Sequence, residues 1–91
     1  MVTAIILIQT QRPRTNEVAE QLVEIAGVSE VYSVSGNYDL VAIIRVADND
    51  ALAQLVTDKL RPLEGIDKTQ TMLAFKAYSR HDLDAMFAVG M

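Results

Sequence analysis

The 91-residue chain contains no cysteine, few aromatic residues and more acidic than basic side chains. Without cysteine it cannot form disulfides, iron–sulfur clusters or Cys-based metal and redox sites. Aromatic residues make up 5% of the chain, so the core must be aliphatic. Lys and Arg number 8 against 12 Asp and Glu, which gives a net charge of −4. This balance argues against a nucleic-acid or anionic-membrane surface, where basic side chains must neutralise phosphate.

Long hydrophobic runs are also missing, since none exceeds the five residues seen at 4–8. A membrane-spanning helix needs about 20. Met1 leads directly into a predicted strand with no basic segment, so we expect no signal peptide and a cytoplasmic location. Apolar residues nevertheless make up 51% of the chain. We expect one domain over residues 1–91, and we expect it to oligomerise because so small a chain has difficulty hiding that much apolar surface.

Two strand-like runs flank Gly36-Asn37 in the middle of the chain. Both residue types tolerate the positive φ of a tight turn, so the pair predicts a hairpin between strands 28–35 and 39–46. Six of the seven residues at 40–46 are apolar. Since successive side chains of a strand point to opposite faces, both faces of this strand are apolar and both must be covered.

The outer strands and the first helix are predicted from periodicity. Residues 2–9 form a strand with large aliphatic side chains on both faces, and residues 66–78 form the fourth strand. Thr15 or Asn16 can cap a helix that Gly27 ends.

The second helix is predicted to start at Asp48 and to end at Pro62 and Gly65. The acidic run at 48–50 lacks the Gly and Glu of a calcium loop, so capping is the better interpretation. Residues 79–91 predict a short terminal helix that starts at Ser79.

This order of elements predicts an α+β fold of the ferredoxin-like βαββαβ type, with two helices on one face of a four-stranded antiparallel sheet. The other face of the sheet is apolar as well. A second copy of the sheet is the simplest cover, which would give a dimeric α+β-barrel type of assembly.

Three motifs resemble a known family. Residues 35–40 read Ser-Gly-Asn-Tyr-Asp-Leu, strand two begins Gly-Val-Ser-Glu-Val at 27–31, and residues 63–73 read Leu-Glu-Gly-Ile-Asp-Lys-Thr-Gln-Thr-Met-Leu. At these separations they resemble the C-terminal effector-binding (RAM) domain of the leucine-responsive/asparagine (Lrp/AsnC) regulators, over the whole chain.

The resemblance implies a non-enzymatic amino-acid sensor without a cofactor, connected with transcription regulation of amino-acid metabolism. Family members form dimers sheet to sheet, and the dimers assemble into rings such as octamers. Amino acids bind in clefts between dimers, beside the hairpin and strand four. Full-length members carry an N-terminal helix-turn-helix domain, whereas Met1 here directly precedes strand one. We therefore expect a stand-alone RAM protein that does not bind DNA itself and that could pair with full-length regulators.

The candidate ligand-binding residues lie in the hairpin and in strand four. They are Ser35, Gly36, Asn37, Tyr38, Asp39, Thr69 and Thr71. An amino acid is a zwitterion, so Asp39 would bind its ammonium and the Gly36 backbone would donate N–H groups. Thr69 and Thr71 would offer hydroxyls, and Tyr38 would form a wall. The alternative is that these residues only build the turn and the strand.

Other functions remain to be weighed against sensing. A small cofactor-free oxygenase of dimeric ferredoxin-like fold needs a catalytic base, and His81 is the only histidine but has no partner at motif spacing. An RNA-recognition module needs stacking aromatics, which strands one and three do not have. A purely structural partner of full-length regulators would use the same dimer face, so the sequence leaves it open.

Overall fold

One four-stranded antiparallel sheet organises the computed structural model, which describes residues 1–78 and residue 80. The strands are β1 (Val2–Thr10), β2 (Val28–Ser33), β3 (Leu40–Val46) and β4 (Ile66–Leu73), and the helices are α1 (Thr15–Val23) and α2 (Asn49–Gln54), which continues as a π-helical segment (Leu55–Leu60). The strand order is β2-β3-β1-β4, so the ferredoxin-like arrangement is confirmed. The predicted terminal helix and His81 lie outside the described residues, apart from Arg80.

The core lies between the sheet and the helices. Alternate residues of the two central strands are fully buried and face the helices: Ala4, Ile6 and Ile8 of β1, and Leu40, Ala42 and Ile44 of β3. They pack with Val18 and Leu22 of α1 and with Leu55 and Leu60 of the π-helical segment in a single cluster. Both helices therefore cover the same face of the sheet, as the sequence predicts.

The opposite face, called the open face below, is covered by no element among residues 1–78. Its centre is aliphatic, because Ile5 lies opposite Ile43 and Leu7 lies opposite Val41. All four side chains are only half-buried. Met72 extends the face across β4 and is 39% exposed. The two-sided apolar pattern thus leaves an aliphatic surface that lacks a cover within the described chain.

The hairpin connection differs from the predicted two-residue turn. Residues 34–39 form a six-residue loop, closed by a 3.0 Å hydrogen bond from the Val34 N–H to the Asp39 carbonyl. Gly36 has a φ of +113°, but no non-glycine residue in the described part of the chain has a positive φ. In the longer loop the change of chain direction is distributed over more residues, so Asn37 does not need the left-handed conformation that we predicted for it.

The start of α1 was predicted wrongly. Neither Thr15 nor Asn16 caps the helix; Arg14 occupies the cap position without a side-chain cap bond. The Thr15 hydroxyl instead lies 2.6 Å from the Thr10 hydroxyl of β1. The side chain therefore links the helix to the strand, and this contact uses the hydroxyl that a cap would need.

The second helix starts as predicted, because the Asp48 carboxylate accepts a 2.8 Å hydrogen bond from the Ala51 N–H. It then widens into the π-helical segment, where the Arg61 N–H donates to the Val56 carbonyl five residues earlier at 3.0 Å. β4 ends at Leu73 rather than Tyr78, since the Ala74 N–H makes a last bond to Thr3 near the start of β1 and the partner strand ends there.

Candidate functional site

The loop 34–39 lies at one end of the sheet, beside the end of β1. The Asp39 N–H donates to the Ile8 carbonyl at 2.9 Å, and the Gln9 side-chain amide donates to the Asn37 carbonyl at 2.7 Å. Two bonds from adjacent residues of a central strand hold the loop in place. The candidate hairpin residues therefore stand on a fixed support at the rim of the sheet.

Tyr38 connects this loop to the far edge strand. Its hydroxyl donates to the Gln70 side-chain carbonyl at 2.9 Å. Gln70 lies opposite Leu7 on the open face, so the tyrosine reaches past β1 to β4. The predicted wall residue is held in one orientation at the rim of the open face.

Asp39 has a structural contact that the sequence did not reveal. Its Oδ2 accepts a 2.8 Å bond from the Thr10 N–H and a 3.3 Å bond from the Thr10 hydroxyl. Thr10 is the one buried polar residue among residues 1–78, with 6% of its surface exposed, so this bond satisfies a polar group that water barely reaches. Oδ1 of Asp39 receives no hydrogen bond from residues 1–78 and can accept one from a ligand.

The tip of the loop is exposed. Ser35, Gly36 and Asn37 are all solvent-accessible. Gly36 adopts a φ of +113°, and a Cβ built there would meet nothing within 4 Å. Its backbone conformation therefore requires glycine, while the space beside it is open to a ligand or a neighbouring chain.

Thr69 and Thr71 share a face of β4, as predicted, but it is the helix-facing side. They lie opposite Ile8 and Ile6 and remain exposed because β4 is an edge strand. Gln70, which binds Tyr38, points to the other face. The structure thus joins Asp39 to β1 and Tyr38 to β4 by hydrogen bonds. Within the described residues, no hydrogen bond joins Thr69 or Thr71 to the hairpin.

Sequence reasoning missed Gln9, Thr10 and Gln70, which hold the hairpin residues. The available signal was Thr10, a polar residue in the helix-facing register of β1 that continues Ala4, Ile6 and Ile8. A buried polar side chain needs a partner, and the partner lies 29 residues away, at Asp39. Sequence spacing alone does not identify such a partner.

Charged groups cluster at another part of the open face. Arg45 lies 3.5 Å from the Glu30 carboxylate, and the Tyr32 hydroxyl donates to the same carboxylate. The hydrogen bond from Tyr32 is the main reason that the pKa of Glu30 is lowered, with a smaller contribution from Arg45. The same bond raises the pKa of Tyr32. This polar group borders the aliphatic centre of the face.

The described part of the chain contains neither a cluster of metal ligands nor a membrane-spanning helix. No group of three or more His, Asp or Glu side chains in residues 1–78 is arranged to hold a metal ion. None of the described helices has the length and apolar character needed to cross a membrane.

Comparison with known proteins gives the chain a family. A model of the Lrp/AsnC ligand binding domain matches residues 3–83. An uncharacterised HTH-type transcriptional regulator of Pyrococcus horikoshii, PH1916, is 41% identical over 80 residues, which cover 80% of this chain and 51% of that protein. The chain thus spans about half the length of the curated relative.

Solved structures agree on the fold. TTHA0845 from Thermus thermophilus is 45% identical, superposes with a TM-score of 0.82, and is matched along 100% of its length by 88% of this chain. The transcriptional regulator NMB0573 from Neisseria meningitidis, solved as a complex with L-methionine, has a TM-score of 0.77 at 18% identity, over 87% of this chain and 53% of that one. The fold, the hairpin and the match over residues 3–83 lead to one assignment: the chain belongs to the Lrp/AsnC ligand-binding domain family.

Proposed function

We propose that this chain is a non-enzymatic, amino-acid-binding sensor module that acts in transcription regulation in the cytoplasm. The observation that carries the proposal is the hairpin loop 34–39, which is held by hydrogen bonds from β1 and in which Oδ1 of Asp39 receives no hydrogen bond from residues 1–78. Its relatives are transcriptional regulators, which supports a regulatory role. Membership of a ligand-binding domain family supports a small-molecule effector.

The loop offers complementary groups for a zwitterion. Oδ1 of Asp39 can accept from an ammonium, while Oδ2 stays on Thr10. The open space at Gly36 allows a ligand carboxylate to approach the backbone N–H groups of the loop tip, including those of Ser35 and Asn37. Tyr38, fixed by Gln70, would border the ligand side chain. Thr69 and Thr71 point away from this loop, so they would serve the same ligand only from a neighbouring copy.

A second copy is the proposed cover for the open face. Ile5, Leu7, Val41 and Ile43 form a continuous aliphatic centre that is half-exposed in one chain. Packing against an identical sheet would remove this surface from water and create a twofold interface. Rings of such dimers, for example octamers, would then place hairpin loops beside strands of the next dimer. The same surfaces could receive full-length regulators of the family.

A ligand screen tests the proposal directly. The purified chain would be melted with each of the twenty amino acids, beside light scattering for molecular mass. A ligand present at ten times its dissociation constant stabilises the folded state by about 1.4 kcal/mol, which is several degrees for a domain of this size. The neisserial complex makes methionine a natural first compound. One or two hits and a mass equal to a dimer or a multiple of it would support the proposal.

The variant Asp39→Asn tests the assigned ligand group. Asparagine keeps an oxygen for the Thr10 N–H but removes the negative charge, so we expect weaker amino-acid binding with little loss of structure. Asp50→Asn is the matched control, since Asp50 is an exposed acid on α2. Unchanged affinity in the first variant would remove Asp39 from the site. No hit from any amino acid with a large assembly would favour the purely structural role.

A further inference from the structure

The large apolar side chains that are exposed among residues 1–78 concentrate at one corner of the sheet. The Ala74 N–H donates to the Thr3 carbonyl at 2.9 Å, so the end of β4 lies beside the start of β1. Five of the eight exposed large apolar side chains lie on these two ends or in the segment after β4: Met1, Met72, Leu73, Phe75 and Tyr78. So concentrated an apolar surface indicates a contact with another molecule.

Residues 74–78, called the arm below, follow β4 without forming a helix or a strand. Beyond the Ala74 N–H, no backbone group of the arm makes a hydrogen bond within the described residues. Phe75 is 97% exposed and Tyr78 is 74% exposed. The Lys76 ammonium lies 5.1 Å from the centre of the Tyr78 ring, which is a cation–π contact. The arm thus presents two aromatic rings, a positive charge and unpaired backbone groups.

The opposite edge of the sheet offers a complementary surface. β2 pairs only with β3, so its outer row of N–H and carbonyl groups has no partner strand among residues 1–78. Tyr32 and Val34, two more of the eight exposed apolar side chains, lie on this strand or directly after it. An unpaired strand edge of this kind can bind a further strand through backbone hydrogen bonds.

The charges of the two surfaces are also complementary. Glu30 of β2 accepts a hydrogen bond from Tyr32, and its other oxygen lies 3.5 Å from Arg45. A contact as long as the one with Arg45 leaves this exposed carboxylate able to accept from a further cation. Lys76 of the arm carries such a charge and forms no salt bridge within the described residues.

The two surfaces lie on opposite edges of one chain. β3 and β1 stand between β2 and β4, and three strand spacings amount to about 14 Å. A second copy of the chain carries both surfaces. A twofold axis would therefore form two equivalent contacts at once, from each arm to the other chain's edge.

We propose that the arm of one chain binds the β2 edge of a second copy as an additional strand. Phe75 and Tyr78 would pack beside the partner's Tyr32 and Val34, and Lys76 would meet the partner's Glu30. This exchange of arms rests on the proposed twofold dimer, and it adds contacts that lie outside the aliphatic centre of the open face.

Engineered disulfides test the exchange, because the chain has no cysteine of its own. Ala77→Cys on the arm would be combined with Ser29→Cys or with Ser33→Cys on β2, and all three positions are exposed. A disulfide needs Cα atoms within about 7 Å, so we expect one of the two pairs to give a covalent dimer on a non-reducing gel. Ala77→Cys with Asp50→Cys on α2 is the matched control and should give none. The single-cysteine variants measure linkage between identical positions.

The double variant Phe75→Ala/Tyr78→Ala tests the contribution of the rings to association. Each substitution occurs twice in a twofold dimer, so we expect the dissociation constant to rise about a hundredfold or more in analytical ultracentrifugation. Val23→Ala is the matched control, since Val23 is the exposed apolar side chain on neither edge. Circular dichroism of the double variant should match the wild type, because both rings are exposed in the single chain.

The outcomes separate this inference from the proposed function. A covalent dimer from a β2–arm pair, together with weaker association of the double variant, would support the exchange. Weaker association without the covalent dimer would overturn β2 as the docking edge. Wild-type association of the double variant without a covalent dimer would overturn the exchange while the open-face dimer stands. A wild-type protein that is monomeric at every concentration would overturn both the exchange and the dimer.

Discussion

Replacing Ile43 with aspartate would test whether the open face is a dimer interface. Ile43 lies at the centre of that face, opposite Ile5, and is half-buried in one chain. Its neighbour Ile44 points to the helices and is 0% exposed. Ile43 and Ile44 are adjacent in one strand and lie on opposite faces of the sheet, which makes Ile44→Asp a matched control.

The expected effect on association follows from burial. Full burial of an isoleucine contributes about 1.5–3 kcal/mol, and Ile43 has already gained part of this in the single chain. In a twofold dimer each substitution occurs twice, and an unpaired carboxylate in the interface adds a further cost. We therefore expect Ile43→Asp to weaken the dimer by at least about 3 kcal/mol, roughly a hundredfold or more in dissociation constant.

Light scattering and circular dichroism would be measured on both variants over a range of concentrations. Ile43→Asp should be a folded monomer at concentrations where the wild type is a dimer or larger, and Ile44→Asp should be unfolded, because a charge in the core opposes most of the stability of a small domain. A dimeric Ile43→Asp protein would refute the assignment of the open face. Loss of folding in both variants would show instead that Ile43 belongs to the core.

Three further substitutions test the local structure. Gly27→Ala should lower the free energy of unfolding by about 1–3 kcal/mol in urea titrations. The reason is that Gly27 has a φ of +99° and that a Cβ there would lie 2.8 Å from the Leu55 side chain. An unchanged midpoint of urea unfolding would contradict the close packing. Asp48→Ala should cost about 1 kcal/mol in the same assay, as the loss of a helix cap does, and no change would mean that the cap bond does not form in solution. Glu17→Gln tests a pH effect. Arg14 lowers the pKa of Glu17 by a hydrogen bond and by its charge. The pair therefore stabilises the fold at pH values above the ordinary pKa of Glu17, and this stabilisation is lost as the pH falls through the lowered pKa. The variant should be slightly less stable than the wild type at neutral pH and equal to it in acid, with a smaller difference in salt because both groups are exposed.

Alternation along the strands predicted much of the fold. The apolar residues on both sides of 40–46 correctly indicated a sheet that packs helices with one face and leaves a second aliphatic face. The alternation did not show which of the two sets of apolar side chains in residues 40–46 faces the helices. That depends on where α1 and α2 cross the sheet, and the structure assigns Ala42 and Ile44 to the core and Val41 and Ile43 to the open face.

The candidate site was predicted only in part, because its contacts are distant in sequence. The motif at 35–39 located the loop, but the bond from Thr10 to Asp39 spans 29 residues and the bond from Tyr38 to Gln70 spans 32. The register of β1 and β4 also shifts at Asp67, because Gln9 pairs with Lys68 and Thr10 with Ile66. This irregularity has no local signal in the sequence, since it depends on how β4 is aligned with β1. The spacing of apolar residues correctly located the second helix. It could not reveal the π-helical segment at the end of that helix, because the apolar residues there have the spacing expected of an α-helix.

The most direct test of the sensor function is equilibrium binding of free amino acids to the assembled wild-type protein. Titration calorimetry would be run with each of the twenty compounds at millimolar concentration, on protein whose mass has been measured in the same buffer. We predict saturable binding of one or a few amino acids to an assembly of dimers. A folded, dimeric protein that gives no heat of binding with any of them would contradict the sensor function.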